Sequence, residues 1–165
     1  MSRPLPGRHP AARPAGRGFS LIELLVVLAV LGVLAASVLP LAEITLRRER
    51  ERELRRALWE LRDAIDAYTR VADAASPAAN VPRHPPTLEA LVAGLPDPKV
   101  PGRTLYFLRR IPRDPFAPSD VSAAESWGLR SYQSPPDRPA AGTDVYDVYS
   151  RCDLVGLNGI ALKYW

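Results

Sequence analysis

One carboxylate, Glu23, stands alone in an apolar run that covers residues 19–41. A charge near the start of a spanning helix is costly, about 2.5–3.5 kcal/mol at mid-membrane and less toward the interface. Such a residue is a functional candidate, and it requires a cationic partner. The run itself contains no basic residue to supply one. Immediately before it stand Arg17, Gly18 and Phe19. A cut between Gly18 and Phe19 would create an α-amino group at the same depth as Glu23, and a neighbouring copy could offer that amine to the carboxylate. Other reactive side chains are few. Cys152 is the single cysteine, which rules out an intrachain disulfide and a cysteine-based metal cluster and reads as a small half-buried residue. The two histidines are His9, in the N-terminal tail, and His84, in the loop-like run Val81-Pro82-Arg83-His84-Pro85-Pro86. There is no triad, paired-carboxylate site or phosphate loop, so an enzyme is not expected.

The elements that must position Glu23 follow from composition and period. Residues 1–18 are rich in Pro, Arg, Gly and Ala and lack the apolar content to fold. Arg3, Arg8, Arg13 and Arg17 are their only charges. Beyond them, the eighteen acidic side chains are matched by as many basic ones. The basic excess thus belongs to the tail, and no nucleic-acid surface spread over the fold is expected. Residues 19–41 suffice to cross a hydrocarbon core, which takes about 20 helical residues. Pro40, lacking a backbone donor, is expected to kink this helix or mark its exit from the membrane.

Past residue 41 the pattern changes without a linker. Residues 47–56 alternate in charge, and Glu51 with Arg55 and Glu49 with Arg52 have helical spacing for ion pairs. Leu54, Leu58, Leu61, Ile65 and Tyr68 then recur at intervals of 4, 3, 4 and 3, an apolar stripe that predicts a helix turning one face onto its own globular domain. A coiled coil is the lesser option, for want of three full heptads. The helix signal ends at Ser76-Pro77, and a short helix is expected over 87–95, with Thr87 as N-cap and Gly94 as its stop. Strands are expected at 105–108, 127–132 and 145–150. The outline is α+β: a long N-terminal helix, half apolar and half amphipathic, leading to a small antiparallel-sheet head.

The segment Gly18-Phe19-Ser20-Leu21-Ile22-Glu23 resembles the prepilin peptidase motif, in which a basic residue, Gly and Phe are followed by Glu as the fifth residue of the mature chain. The chain is thereby similar to the type IV pilin and type II secretion pseudopilin superfamily. The resemblance implies a pilin-like fold with a leader, residues 1–18, cleaved between Gly18 and Phe19 on the cytoplasmic face. It implies N-methylation of Phe19 and pairing of Glu23 with the amine of an adjacent subunit. It further implies a long helix over 19–73, transmembrane then amphipathic, and a periplasmic head over 74–165. A plain membrane anchor would account for the apolar run but not for Gly18 and Glu23. A secretory signal cut near Ala35-Ala36-Ser37 would not account for Glu23 either. Counting arginines alone, six over 47–56 against four in the tail, would invert the topology; the motif places residues 1–18 in the cytoplasm.

Within that superfamily, Tyr106-Phe107-Leu108-Arg109-Arg110-Ile111-Pro112-Arg113-Asp114-Pro115-Phe116 resembles the tyrosine-to-DP segment of G-type major pseudopilins. Trp127-Gly128-Leu129-Arg130-Ser131 and the ending Gly156-Leu157-Asn158-Gly159-Ile160 also look like that family's sheet and C-terminal loop. The implied role is structural: a subunit of a type II secretion pseudopilus driving protein export across the outer membrane. Its partners would be copies of itself, other pseudopilins, the inner-membrane secretion platform and the prepilin peptidase. A type IV pilus pilin for adhesion, motility or DNA uptake is the alternative. G-type pseudopilins commonly fasten the last loop with calcium, a hard cation bound by oxygen, and Asp153 and Asn158 are the candidate ligands here. A turn held by Asn and Gly alone is the competing expectation.

Overall fold

The computed structural model describes residues 20–75 and 81–165, with the side chains of 37–42 outside the description. The expected leader and the Gly18–Phe19 junction lie outside the described residues, as does the Ser76-Pro77 stop. The chain divides into two compact units, Met1–Glu43 and Ile44–Trp165.

Helix α1 runs Leu21–Ala74 and contributes to both units. It opens with the Leu24 amide donating to the Ser20 carbonyl at 3.2 Å. In the first unit its large apolar side chains, Leu21 through Leu34, are exposed on every side. Among the described residues no helix is long and apolar enough to cross a membrane. The described side chains of this run stop at Ala36, whereas the apolar run of the sequence continues to Leu41.

The second unit has its own core. Leu54, Leu58, Leu61, Ile65 and Tyr68, the stripe expected from spacing, are all buried, together with Ala57 and Ala64. They pack with Leu88, Leu91, Leu108, Trp127, Val145, Val148 and Leu162. Each such leucine contributes about 1.5–3 kcal/mol by leaving water. Burial of the Trp127 indole requires a partner for its N–H, and Nε1 donates to the Pro112 carbonyl at 2.8 Å. The same burial raises the Tyr68 phenol above its ordinary pKa.

Short elements cover this face. Helix α2 is Glu89–Ala93, and Leu88 is its N-cap without a side-chain hydrogen bond. The expected cap, Thr87, contributes its carbonyl instead, accepting from the Ala90 amide at 3.3 Å. Gly94 ends the helix as expected, at φ 79°. A Cβ there would also lie 2.4 Å from the Leu105 carbonyl oxygen, so both the left-handed backbone and the close approach require glycine. Strands β1, Leu95–Pro96, and β2, Thr104–Leu105, pair antiparallel. The strand expected over 105–108 stops early because the Phe107 and Leu108 amides both turn to the Leu91 carbonyl, each at 3.1 Å.

Strands β3, Trp127–Arg130, and β4, Asp147–Ser150, form the second antiparallel pair, with Trp127 opposite Ser150 and Gly128 opposite Tyr149. Both are shorter than expected. Ser131 leaves the ladder to donate to the Ala140 carbonyl at 2.9 Å, and Val145 donates to the Pro85 carbonyl at 2.8 Å. A Cβ on Gly128 would meet Tyr149 Cζ at 2.3 Å, because that ring lies across the glycine. A 3-10 turn, Leu162–Tyr164, follows an isolated antiparallel bridge between Val155 and Ala161.

Candidate functional site

Glu23 lies in the first turn of α1, where an acid is favoured by the exposed amides of the helix start. It is exposed, and among the described residues it has no ion-pair partner. Its neighbours Ile22, Leu24, Val26 and Val27 are apolar and exposed as well. A helix that is apolar all round is stable only in lipid or within protein. Gly18 and Phe19, the other residues of the expected processing site, lie outside the described residues.

The second candidate, the C-terminal loop, is built around the Val155–Ala161 bridge. The Gly156 amide donates to Ile160 O at 2.8 Å and the Gly159 amide to Gly156 O at 2.9 Å. Asn158 Oδ1 closes the turn by accepting the Ile160 amide at 3.1 Å. Asp153 Oδ1 accepts from Lys163 Nζ at 2.8 Å. This hydrogen bond, reinforced by the ammonium charge, holds the Asp153 carboxyl below its ordinary pKa and raises the Lys163 ammonium above its own. The donor set does not fit calcium, which takes 6–8 oxygens. Asp153 Oδ1 is already engaged by an ammonium and Asn158 Oδ1 by a backbone amide, which leaves Asp153 Oδ2 and falls well short of that number. Among the described residues no group of three His, Cys, Asp or Glu side chains is placed to hold a metal ion.

The loop is instead tied to one face of α1. The Arg47 guanidinium donates to the Val155 carbonyl. Glu51, only 5% exposed, accepts the Leu157 amide at 2.9 Å and faces Arg47 Nε at 3.5 Å. Arg55 stacks over the Trp165 ring at 4.2 Å. Arg62 donates to the Trp165 carbonyl at 2.8 Å and to Asp147 Oδ1 at 2.9 Å, while Arg130 approaches the other oxygen of Asp147 at 3.3 Å. Arg62 and Arg130 line a cleft of about 340 Å³ with Tyr149, Tyr164 and Trp165. The expected Glu51–Arg55 pair is not the one formed, because Glu51 turns toward the loop; Glu49 and Arg52 do pair, at 3.2 Å.

Sequence reasoning missed two buried polar centres. Asp114 is 1% exposed; its Oδ1 accepts the Phe116 amide at 2.8 Å and its Oδ2 the Ser150 hydroxyl at 2.6 Å. The Ser126 hydroxyl accepts the Asp114 amide at 3.1 Å. The signal was the Asp-Pro pair, since Asp before Pro favours turn initiation. The other centre is His84, expected in a loop but buried, with rings of Tyr132 and Tyr146 at 5.3 Å. The Thr69 hydroxyl lies 2.9 Å from the Ile65 carbonyl and 3.2 Å from His84 Nδ1, so it links the imidazole to the helix. His84 and Cys152 do not share a site: His84 sits against Thr69, and Cys152 lines a separate pocket with Asp114 and Arg151.

Comparison with known proteins adds two findings. A family model described as the prokaryotic N-terminal methylation motif matches residues 13–39, which include Gly18, Phe19 and Glu23. The Type II secretion system core protein G of Klebsiella michiganensis is 28% identical over 109 residues, covering 63% of this chain and 70% of that protein. No solved structure matches.

Proposed function

We infer that this chain is a type II secretion pseudopilin of the type IV pilin superfamily, a structural subunit rather than a catalyst. The observation that carries the reading is the register of Arg17, Gly18, Phe19 and Glu23 at the head of an apolar helix, inside the segment that matches the methylation motif. The likeness to a core protein G supports a secretion pseudopilus as the setting.

On this reading residues 1–18 are a leader removed by the prepilin peptidase, and Phe19 becomes the N-methylated first residue. The helix over 19–73 first spans the inner membrane through residues 19–41 and later packs in the filament core. Residues 74–165 form a periplasmic head that the amphipathic part of the helix supports. Partners are further copies of the chain, other pseudopilins and the inner-membrane secretion platform. Glu23 of one subunit pairs with the Phe19 amine of another. At an effective dielectric near 20, charges about 4 Å apart attract by roughly 4 kcal/mol, enough to offset the cost of carrying the acid into the bilayer. The pair then sets the axial register between neighbours.

Mass spectrometry of the protein isolated from its host tests the reading. A chain beginning at N-methylated Phe19 is expected. An intact leader, or a start near Val38, would overturn it.

A further inference from the structure

Four residues of α1, Arg47, Glu51, Arg55 and Arg62, follow one another at intervals of 4, 4 and 7, which place them along one side of a helix. Each touches the C-terminal segment: Arg47 the Val155 carbonyl, Glu51 the Leu157 amide, Arg55 the Trp165 ring, Arg62 the Trp165 carbonyl. The loop is closed from its other side by Lys163 on Asp153. We propose that this polar rail on α1, together with the Lys163 ammonium, fastens the C-terminal loop in place of a bound divalent cation and leaves the head indifferent to calcium.

A calcium fastener gathers carboxylate and carbonyl oxygens around one positive centre at 2.3–2.6 Å. Here the same kinds of oxygen point at protein donors. The Val155 carbonyl faces a guanidinium, Asp153 faces an ammonium, Asn158 Oδ1 faces an amide of its own turn, and Glu51 lies between an amide and Arg47. A cation taking the Val155 carbonyl and Asp153 Oδ1 would have to displace two protein cations. Close packing leaves little room for such a change. A Cβ on Gly156 would meet Trp165 Cζ2 at 2.5 Å and Asn158 Oδ1 at 2.8 Å, so ring, turn and backbone are in direct contact there. The fixed charges of Arg47 and Lys163 supply locally what the metal would supply. The inference concerns this loop alone and is independent of whether the chain is processed at Gly18.

The full chain in detergent micelles allows the test. Its three tryptophans, Trp59, Trp127 and Trp165, all lie within Ile44–Trp165, so intrinsic fluorescence reports that unit's melting. Melting curves at millimolar calcium and in excess chelator should coincide. A saturating ligand would raise the midpoint by several degrees in a unit of this size, and such a rise would overturn the proposal. Glu51→Ala should lower the midpoint by several degrees under both conditions, and a variant melting like the parent would equally count against it. Hydrogen exchange on the parent is the second measurement, should the variant fail to fold. The Leu157 amide should be protected to the same degree with and without calcium; protection that appears only with calcium would refute the rail.

Discussion

Replacing Asp114 with alanine should unfold the head more effectively than removing most core methyl groups, although no apolar packing is lost. The carboxylate holds the Phe116 amide at 2.8 Å and the Ser150 hydroxyl at 2.6 Å, in a site where Asp114 is 1% and Ser150 0% exposed. Hydrogen bonds to a charged group contribute about 1.5–3 kcal/mol each. Ser150 keeps one contact, accepting the Cys152 amide at 3.2 Å, so its loss is limited to an outlet for the hydroxyl proton. The combined cost is about 3–5 kcal/mol, a large share of the roughly 5–15 kcal/mol that stabilises a typical domain. For a domain of this size that corresponds to a fall in Tm of about 10–20 °C. Asp114→Asn keeps an acceptor for Phe116 and can donate its amide to the Ser150 oxygen, so about half the loss is expected. The assay is tryptophan fluorescence in a denaturant series, run as a double-mutant cycle with Ser150→Ala. Ser150→Ala should destabilise the parent by about 1–3 kcal/mol and the Asp114→Ala protein by less, about the 0.5–1.5 kcal/mol of the remaining Cys152 hydrogen bond. Strictly additive losses, or an Asp114→Ala protein within about 1 kcal/mol of the parent, would refute the reasoning.

Gly128→Ala forces a methyl group into the Tyr149 ring, which lies 2.3 Å from the added carbon, and should cost about 1–3 kcal/mol in a denaturant titration. Glu23→Leu should insert and be cleaved normally yet fail to build filaments or export a reporter substrate on overexpression, and Glu23→Gln should fail as well; normal assembly by either would remove Glu23 from the register role. Asp153 is held below the ordinary carboxylate pKa by Lys163, so its contribution is present above the unfolded value and lost as pH falls through the depressed one. Lys163 is shifted the other way, and its contribution is lost as pH rises through its raised pKa. Acid and base titrations of Tm should therefore flatten in Lys163→Met, by a small amount that shrinks with salt because both groups are exposed.

Periodicity made the helical part of this molecule legible. The stripe from Leu54 to Tyr68 is a repeated signal, and repeated spacing survives whatever the remote chain does. The head was legible mainly in outline. Its strands were placed by β-branched and aromatic content, but their lengths depend on where a single amide finds its acceptor. Ser131 turns to Ala140 and Phe107 to Leu91, choices that no local pattern contains. Glu51 illustrates the difficulty in one residue. In a run of alternating charge its helical neighbour Arg55 is the obvious partner, yet a backbone amide 106 positions away takes the carboxylate. Asp153 and Asn158 were candidates by residue type; only tertiary placement brings Lys163 onto the first and folds the second into its own turn.

The rail on α1 also dictates an order of events during synthesis. Arg47 and Val155 are 108 residues apart, Glu51 and Leu157 106, and Arg62 and Trp165 103. Closing loops of about a hundred residues costs roughly 4 kcal/mol of chain entropy before any contact rewards it. Pairings this distant slow folding. A chain that emerges from its N-terminus presents the helix first and its last fasteners last. Until Leu162 and Trp165 arrive, part of the apolar stripe lacks its cover, and no partial chain can complete the core. The closing step therefore waits on Leu162 and Trp165, so a substitution at either acts on folding itself.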